Sequence, residues 1–410
     1  MSTARRTHGF RESVIRGMTR LARDYNAINL AQGFPNFPAP ALLKDAAARA
    51  IHDDINQYAI TWGARTLREA LARKYQEWYG IGADPDREIT VTCGATEAMI
   101  SALLALVNPG EEVIVFEPFY ENYGPDTILA DAKPVYVPLL PGTPLDLDRL
   151  AAAFTARTRA IIVNTPSNPA GRVLTRPELL AISQLCIRHD ALAITDEIYE
   201  HIRFEGDHVP IAGLPGMRDR TVTISGASKT FSVTGWRIGW IVAPEDLTAA
   251  IRKVHDFLTV GAPAPLQEAV AAALDGLEPR FYQQLAKDYR SRRDLLYQAL
   301  TQSGFRCVPP EGAYYILADF SPIALAPGGR ELSDTEFSIW LSREVGVTPV
   351  PGSSFYREGG DGGRKLVRFV FCKTDDILTE AARRLRTIGL ATQGREPRPL
   401  EPASRSGLQR

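Results

Sequence analysis

Thr221-Val222-Thr223-Ile224 is a short β-branched run that leads into Ser225-Gly226-Ala227-Ser228-Lys229-Thr230-Phe231. Five residues past the lysine, Thr234-Gly235-Trp236-Arg237-Ile238-Gly239-Trp240 opens a second strand-like run. Only 8 of the 47 Lys and Arg residues are lysines, so a lysine framed by small residues at a strand end stands out. An ordinary lysine belongs on a solvated surface. One held near cations or in an apolar site has a lowered pKa and acts as a nucleophile or Schiff-base former. Arg237 reads either as one half of a structural ion pair or as a clamp on phosphate.

Working outward, further runs of the same kind bracket this stretch: Ile89–Thr92, Val113–Phe116, Ala160–Val163, Leu192–Thr195 and Ile238–Val242. Each is brief, apolar or β-branched, and bounded by Gly, Pro, Asp or Asn. Helical patterns such as Thr96–Val107 and Arg176–His189 lie between them. Strand–helix alternation predicts an α/β fold with a mostly parallel, doubly wound sheet covered on both faces. The last hundred residues read differently. Helices over Pro279–Ser303 and Asp334–Val345 mix with short strands Tyr314–Ala318 and Leu366–Phe371, which predicts a smaller α+β domain. The helix Ser13–Tyr25 belongs to no βα unit and is expected to pack with that part. The division expected is therefore 46–290 for the large domain, with 1–45 and 291–392 forming the small one. The Pro-, Arg-, Ser- and Gly-rich tail 393–410 is expected to be disordered.

In an open parallel sheet, ligands bind beyond the carboxyl ends of the strands. After Ile89–Thr92 comes Cys93-Gly94-Ala95-Thr96, a small-residue turn opening a helix, whose free N–H groups suit a phosphate. Alone it is equally a tight packing turn. After Ala160–Val163 comes Asn164-Thr165-Pro166-Ser167-Asn168-Pro169-Ala170-Gly171, which reads as a rigid loop carrying amide side chains or simply as a turn. After Leu192–Thr195 comes Asp196-Glu197-Ile198-Tyr199. A carboxylate at the end of a buried strand is costly without a partner, and the plain alternative is a helix N-cap. A phosphate turn, an amide loop, a strand-end Asp, a Lys and an Arg thus converge on one sheet edge. Pyridoxal 5′-phosphate (PLP) needs that set: an amine for the imine, a carboxylate for the pyridine nitrogen, donors for the phenolate oxygen and cations for the phosphate.

Composition narrows the field. The chain of 410 residues is long enough for two or three domains; it is 45% hydrophobic and 23% charged, ordinary for a globular protein, and its net charge of −1 favours neither nucleic acid nor an anionic membrane. No run approaches the ~18 apolar residues of a membrane span, and Met1 to Phe10 lacks a signal-peptide core. Cys93, Cys186, Cys307 and Cys372 make no metal-ligand spacing, so no metal is expected and reduced thiols in the cytoplasm are the plain reading. A nucleotide-binding protein would carry a G-x-G-x-x-G turn or a Walker lysine, and neither appears. A ligand-sensing regulator generally adds a DNA-binding module, and too few residues precede the first motif for one.

The ordered motifs Ser228-Lys229-Thr230 with Thr-Gly-Trp-Arg-Ile-Gly-Trp at 234–240, Asn-Pro-Ala-Gly at 168–171 and Asp-Glu-Ile-Tyr at 196–199 resemble the class I and II aminotransferases of PLP fold type I. The resemblance runs from about Asn29 to about Leu385. Asn29-Leu30-Ala31-Gln32-Gly33-Phe34-Pro35, Asn56-Gln57-Tyr58 and Glu117-Pro118-Phe119-Tyr120 make it most similar to kynurenine and methionine aminotransferases. The resemblance implies a mostly parallel seven-stranded sheet and a ping-pong transfer of the α-amino group of an L-amino acid to a 2-oxo acid. It implies that Lys229 forms the Schiff base and that Asp196 holds the pyridine nitrogen protonated. Asn168 and Tyr199 would bond the phenolic oxygen, Tyr120 would stack on the ring, and the backbone of Ala95 and Thr96 with Arg237 would grip the phosphate. Tyr58 would reach the phosphate of a neighbouring subunit in a homodimer. Arg368 would fork onto the substrate α-carboxylate, helped by Asn168 and the backbone of Gly33.

Four positions depart from that pattern, one at the phosphate and three at the side-chain pocket. Many relatives carry a phosphate-binding serine three residues before the lysine, where this chain has Gly226, and Ser225 or Ser228 is expected to compensate. The positions matching aromatic pocket residues of kynurenine-type enzymes are Ile15, Val260 and Gly261, which predicts a less aromatic side-chain pocket. The nearest rival is a carbon–sulfur β-lyase or another biosynthetic PLP enzyme on the same scaffold.

Overall fold

The computed structural model describes residues 4–10, 12–323 and 331–388; the tail expected to be disordered lies outside them. Among the described residues thirteen strands run in chain order as β1 (Ile28–Asn29), β2 (Ile89–Thr92), β3 (Glu112–Glu117), β4 (Lys133–Pro138), β5 (Thr158–Asn164), β6 (Leu192–Asp196), β7 (Thr221–Gly226), β8 (Gly239–Val242), β9 (Arg306–Cys307), β10 (Tyr315–Asp319), β11 (Val347–Thr348), β12 (Val350–Pro351) and β13 (Leu366–Val370). Seven form one sheet in the order β2-β8-β7-β6-β5-β3-β4, in which only β8 runs against the others. β2, β3, β6, β7 and β8 are buried throughout, as continuous apolar runs in a sheet covered on both faces should be.

The strand that composition did not point to is β4, Lys133-Pro134-Val135-Tyr136-Val137-Pro138. It occupies the sheet edge, where prolines are tolerated because one side of the strand needs no donors, so its two prolines disguise it.

β12-β13-β10-β9 form a second, antiparallel sheet, and β1 pairs in parallel with β11. The helix Val14–Asp24 buries Met18 and Ala22, with Met18 packed against Ala31, Val350 and Phe355, so this helix packs on residues from the C-terminal part of the chain. The expected cuts at residues 45 and 290 fall inside the helices Ala41–His52 and Pro279–Gln302. The helix expected over 334–345 divides into Asp334–Trp340, closed by a Ser333–Glu336 capping box, and a wider π turn, Leu341–Val345. There the buried hydroxyls of Ser338 and Ser342 donate to the carbonyls of Asp334 and Ser338, a bonding pattern that loosens a regular helical ladder.

Candidate active site

The carboxyl ends of β2, β5, β6 and β7 and the start of β8 meet at one edge of the large sheet. They open into a cavity of about 390 Å³ whose far wall comes from the antiparallel sheet and the first helix. Ala95, Thr96, Tyr120, Asn168, Asp196, Tyr199, Lys229, Arg237, Arg368, Gly33 and Ile15 all line it. Tyr58 does not. It stands 88% exposed on the surface of the chain. Val260 and Gly261 also lie outside the wall, so of the three positions compared with aromatic pocket residues only Ile15 faces the cavity.

At the phosphate end, β2 turns through Gly94 (φ +81°) into the helix Gly94–Leu106, whose N-terminus has no side-chain cap. A Cβ on Gly94 would sit 2.4 Å from Nη2 of Arg237, and one on Gly239 would sit 2.4 Å from the carbonyl carbon of Gly94. Glycine at both places lets the guanidinium lie directly against the helix N-terminus. Arg237 itself adopts φ +57° and donates to the carbonyl of Thr234 at 3.0 Å. Free N–H groups, the helix dipole and a guanidinium together make an anion cradle. Gly226 is tightly enclosed, since a Cβ there would meet the carbonyl of Ile238 at 2.9 Å and Cδ1 of Ile198 at 3.0 Å. Ser225 does not take over a phosphate contact: its hydroxyl donates to Oε1 of Glu200 at 2.8 Å, outside the cavity wall. Ser228 lines the cavity.

At the centre, Asp196 accepts from the hydroxyl of Tyr123 at 2.7 Å and from the N–H of Ile198 at 3.2 Å. No helix follows it, which removes the N-cap alternative. Burial pushes its carboxyl above the ordinary range, opposed by Tyr123, Ile198 and Lys229. Lys229 has no carboxylate partner among the described residues; its Nζ approaches only the carbonyl of Gly33, at 3.4 Å. Burial lowers its pKa to about 8, with Arg237 and Arg368 adding to the effect against Cys372 and Asp196. At pH values near and above 8 a large part of this amine is therefore unprotonated and nucleophilic. The Tyr199 hydroxyl lies 2.7 Å from that of Tyr315.

At the opposite end, Arg368 is fully buried, donating from Nη1 to Oδ1 of Asn168 and from Nη2 to the carbonyl of Ala31, each at 2.8 Å. It stacks between Tyr315 and Phe355, with ring centroids 4.4 and 4.6 Å away. Its Nε is buried without a partner among the described residues. A buried guanidinium with a spare donor and no carboxylate invites an anionic group from outside the chain.

Several partners were not legible beforehand. Tyr123 holds Asp196, Tyr315 holds Tyr199, and Tyr314 donates to the Gly33 carbonyl at 2.8 Å. Asn164 joins two strand ends, donating to the carbonyl of Asp196 at 2.8 Å and accepting from the N–H of Asn168 at 2.7 Å. The adjacent aromatics Tyr314-Tyr315 at the head of a strand were the one available hint. Asp126 also lines the cavity, and its Oδ2 is buried without a partner among the described residues. Burial raises it to about 7.

The amine, the buried carboxyl, the anion cradle and the unsaturated guanidinium fit the reactive aldehyde, ring nitrogen and phosphate of PLP together with a carboxylate substrate. Among the described residues no cluster could hold a metal ion, and no helix is long and apolar enough to cross a membrane. Comparison with known proteins agrees with this chemistry. The chain is 42% identical over 394 residues to a probable N-succinyldiaminopimelate aminotransferase of Mycobacterium tuberculosis, covering 93% of this chain and 98% of the relative. The solved structure of N-succinyldiaminopimelate aminotransferase from that organism superposes with a TM-score of 0.89 at 42% identity, over 94% of this chain and 100% of the other. The methionine aminotransferase of Escherichia coli is 40% identical over 90% of this chain and 94% of its own length, and a kynurenine–oxoglutarate transaminase of Dictyostelium discoideum is 37% identical over 92% and 94%. Residues 25–385 match the family described as aminotransferase class I and II, and the chain belongs to that family of PLP-dependent enzymes, which transfer amino groups.

Proposed function

We propose that this aminotransferase moves the α-amino group of an L-amino acid to a 2-oxo acid in two half-reactions at one cavity. The observation that carries the reading is Lys229, a part-buried amine without a carboxylate partner among the described residues, which lines one cavity with Asp196 and the unsaturated guanidinium of Arg368. PLP, when bound, supplies the electrophilic carbon and the electron-withdrawing ring. The residues do the rest. Arg368, with Asn168 and the backbone of Gly33 helping, holds the substrate α-carboxylate and so fixes the direction of the Cα–H bond. The Lys229 amine would accept the α-proton from the substrate Cα at Nζ and give it to the carbon that PLP, when bound, offers, work of a kind worth ~10²–10⁴-fold in rate. Asp196, steadied by Tyr123, keeps a proton on the ring nitrogen. Tyr199 and Asn168 donate to the phenolic oxygen, Tyr120 covers the ring face, and Ala95, Thr96 and Arg237 hold the phosphate. Ile15 meets the substrate side chain.

The working unit in this reading is a homodimer in which Tyr58 reaches the neighbouring phosphate. Its 88% exposure in the single chain supports this. The cytoplasm is the compartment this reading assigns, in keeping with four free cysteines.

The test is the absorbance of the purified holoenzyme while a panel of L-amino acids is added. A visible band that one amino acid bleaches and a 2-oxo acid restores establishes transamination and names the donor. Pyruvate and ammonia released from a cysteine conjugate would move the reaction to β-elimination.

A further inference from the structure

The helix Gly94–Leu106, whose N-terminus opens the anion cradle, carries a single charged residue, Glu97, in its first turn. A carboxylate there suits the helix dipole, but so close to a phosphate site it opposes the anion that the site is built to hold. Glu97 is buried outside the cavity wall. Its Oε2 accepts from the N–H of Cys93 at 2.8 Å and its Oε1 from the hydroxyl of Ser101 at 2.7 Å, so both oxygens act as acceptors. Burial raises the Cys93 thiol, and Glu97 and Arg237 then push it in opposite directions, so the carboxylate and the cradle guanidinium bear on the same turn.

The cation that answers Glu97 comes from another helix. His255, on Glu245–Leu258, is fully buried, with Nδ1 2.8 Å from Oε1 of Glu97 and Nε2 2.7 Å from the carbonyl oxygen of Thr61. Both ring nitrogens thus face groups that can only accept. A neutral imidazole has one N–H and would leave the other contact as lone pair against lone pair; the imidazolium donates to both. Burial opposes this charge, but the hydrogen bond and charge of Glu97 and the Thr61 carbonyl outweigh it, with Asp256 on the same helix adding, and they raise the imidazole above its ordinary value. Nothing else around it competes: β2, residues 59–64 and residues 259–263 carry no charged side chain, and Arg252 on its own helix is spent on the Thr90 hydroxyl and the carbonyls of Asp86 and Ile89. Thr61 lies three residues past Tyr58, in a segment docked on β2 by the bond from the Val91 N–H to the Trp62 carbonyl at 3.0 Å.

Resting on the reading that this cradle holds the PLP phosphate, we propose that His255 is a positioning residue for phosphate binding, held as a two-proton imidazolium that cancels the charge of Glu97 and ties the cradle helix to the segment bearing Tyr58. It touches neither cofactor nor substrate and acts through Glu97.

A neutron-diffraction map of the wild-type holoenzyme at neutral pH is expected to show hydrogen on both Nδ1 and Nε2 of His255. Hydrogen on one nitrogen alone overturns the proposal, and this measurement needs no variant to fold. Binding then reads the effect on phosphate. PLP and pyridoxal, which keeps the aldehyde and ring but lacks the phosphate, are titrated into the full-length apoenzyme, and the ratio of their Kd values isolates the phosphate. His255→Gln keeps a donor but loses the charge, and should lower the preference for PLP at least ~10-fold, the scale of one charged contact. Removing both charges, with Glu97→Gln added to His255→Gln, should recover most of that loss, a recovery that a merely structural role would not give. A preference that His255→Gln leaves unchanged, or a double variant no better than the single one, overturns the assignment of His255. Arg237→Gln tests the reading beneath it: it should lower the preference by itself, and indifference to Arg237→Gln overturns the cradle as the phosphate site.

Discussion

Lys74 and Lys229 sit within the same large-sheet region and are treated in opposite ways. Lys74 is 5% exposed and donates to Oε2 of Glu200 at 2.7 Å. Glu200 also accepts from Ser225 and Tyr79, and neighbouring Glu197 is met by His208 at 2.6 Å and by Thr195 at 2.8 Å. Burial alone would raise Glu200, but Lys74, with His201 and His208, holds it far below the carboxylate range. At the cavity, Lys229 has only a distant carbonyl and Asp126 has no partner for Oδ2 among the described residues, so burial moves both toward neutrality, to about 8 and about 7. Pairing fixes charge and gives rigidity. Leaving a group unpaired keeps its proton negotiable, which is what chemistry at the cavity requires. Ser225 joins the two regimes, since it sits on the strand that delivers Lys229 and bonds the paired network.

The sharpest break of this contrast is Lys229→Ala. Turnover is expected to fall by at least ~10²–10⁴-fold, with PLP held only by weaker contacts, so that gel filtration strips the visible band. Normal turnover by that variant would sink the assignment. On the paired side, Glu200→Gln leaves Lys74 charged and buried, and an unfolding midpoint equivalent to a loss of about 3–5 kcal/mol is expected; combining it with Lys74→Met should recover much of the loss. A structure indifferent to Glu200→Gln would erase the distinction between the two regions.

Arg368→Ala should chiefly raise substrate KM, by roughly ten- to a hundredfold for loss of a charged hydrogen bond worth about 1.5–3 kcal/mol. An unchanged KM would remove it from carboxylate binding. Reconstitution of apoenzyme with PLP should speed up with rising pH and level off above about 8, because the neutral amine is the reactive form of Lys229; a midpoint near the ordinary lysine value of ~10.4 would count against an unpaired buried amine. The smallest effect concerns Asp126. Its folded pKa is raised, so the group leaves stability intact below about 4, lowers it progressively as pH rises from there, and the loss is complete above about 7. The gain in melting temperature from Asp126→Asn should therefore be larger at pH 8 than at pH 5, and an equal gain at both would show that the carboxyl is not buried unpaired.

How much of this was readable in the residues follows from the range of the interactions. Six of the seven large-sheet strands announce themselves by local apolar runs; β4 does not, because an edge position permits Pro134 and Pro138. The sheet-edge residues Asn168, Asp196, Lys229 and Arg237 were legible because parallel topology converts strand ends into one edge. Their partners were not. Tyr123 lies 73 residues from Asp196, Tyr315 lies 116 from Tyr199, and Arg368 lies 200 from Asn168. Hydroxyl and amide contacts over such separations depend on packing between layers and leave no periodic trace. Whether Ser225 faced the phosphate was equally a matter of side-chain direction, and its bond to Glu200 turns it away.

The bond from Arg368 to the carbonyl of Ala31 has a consequence for how the enzyme is born. Residue 31 leaves the ribosome 337 residues before residue 368. The strand leading into Lys229 is made well before residue 368, yet the pocket for a substrate carboxylate needs residues 31 and 368 together. A growing polypeptide thus carries its reactive lysine long before it can hold a substrate, and the bond between Ala31 and Arg368 forms late in translation.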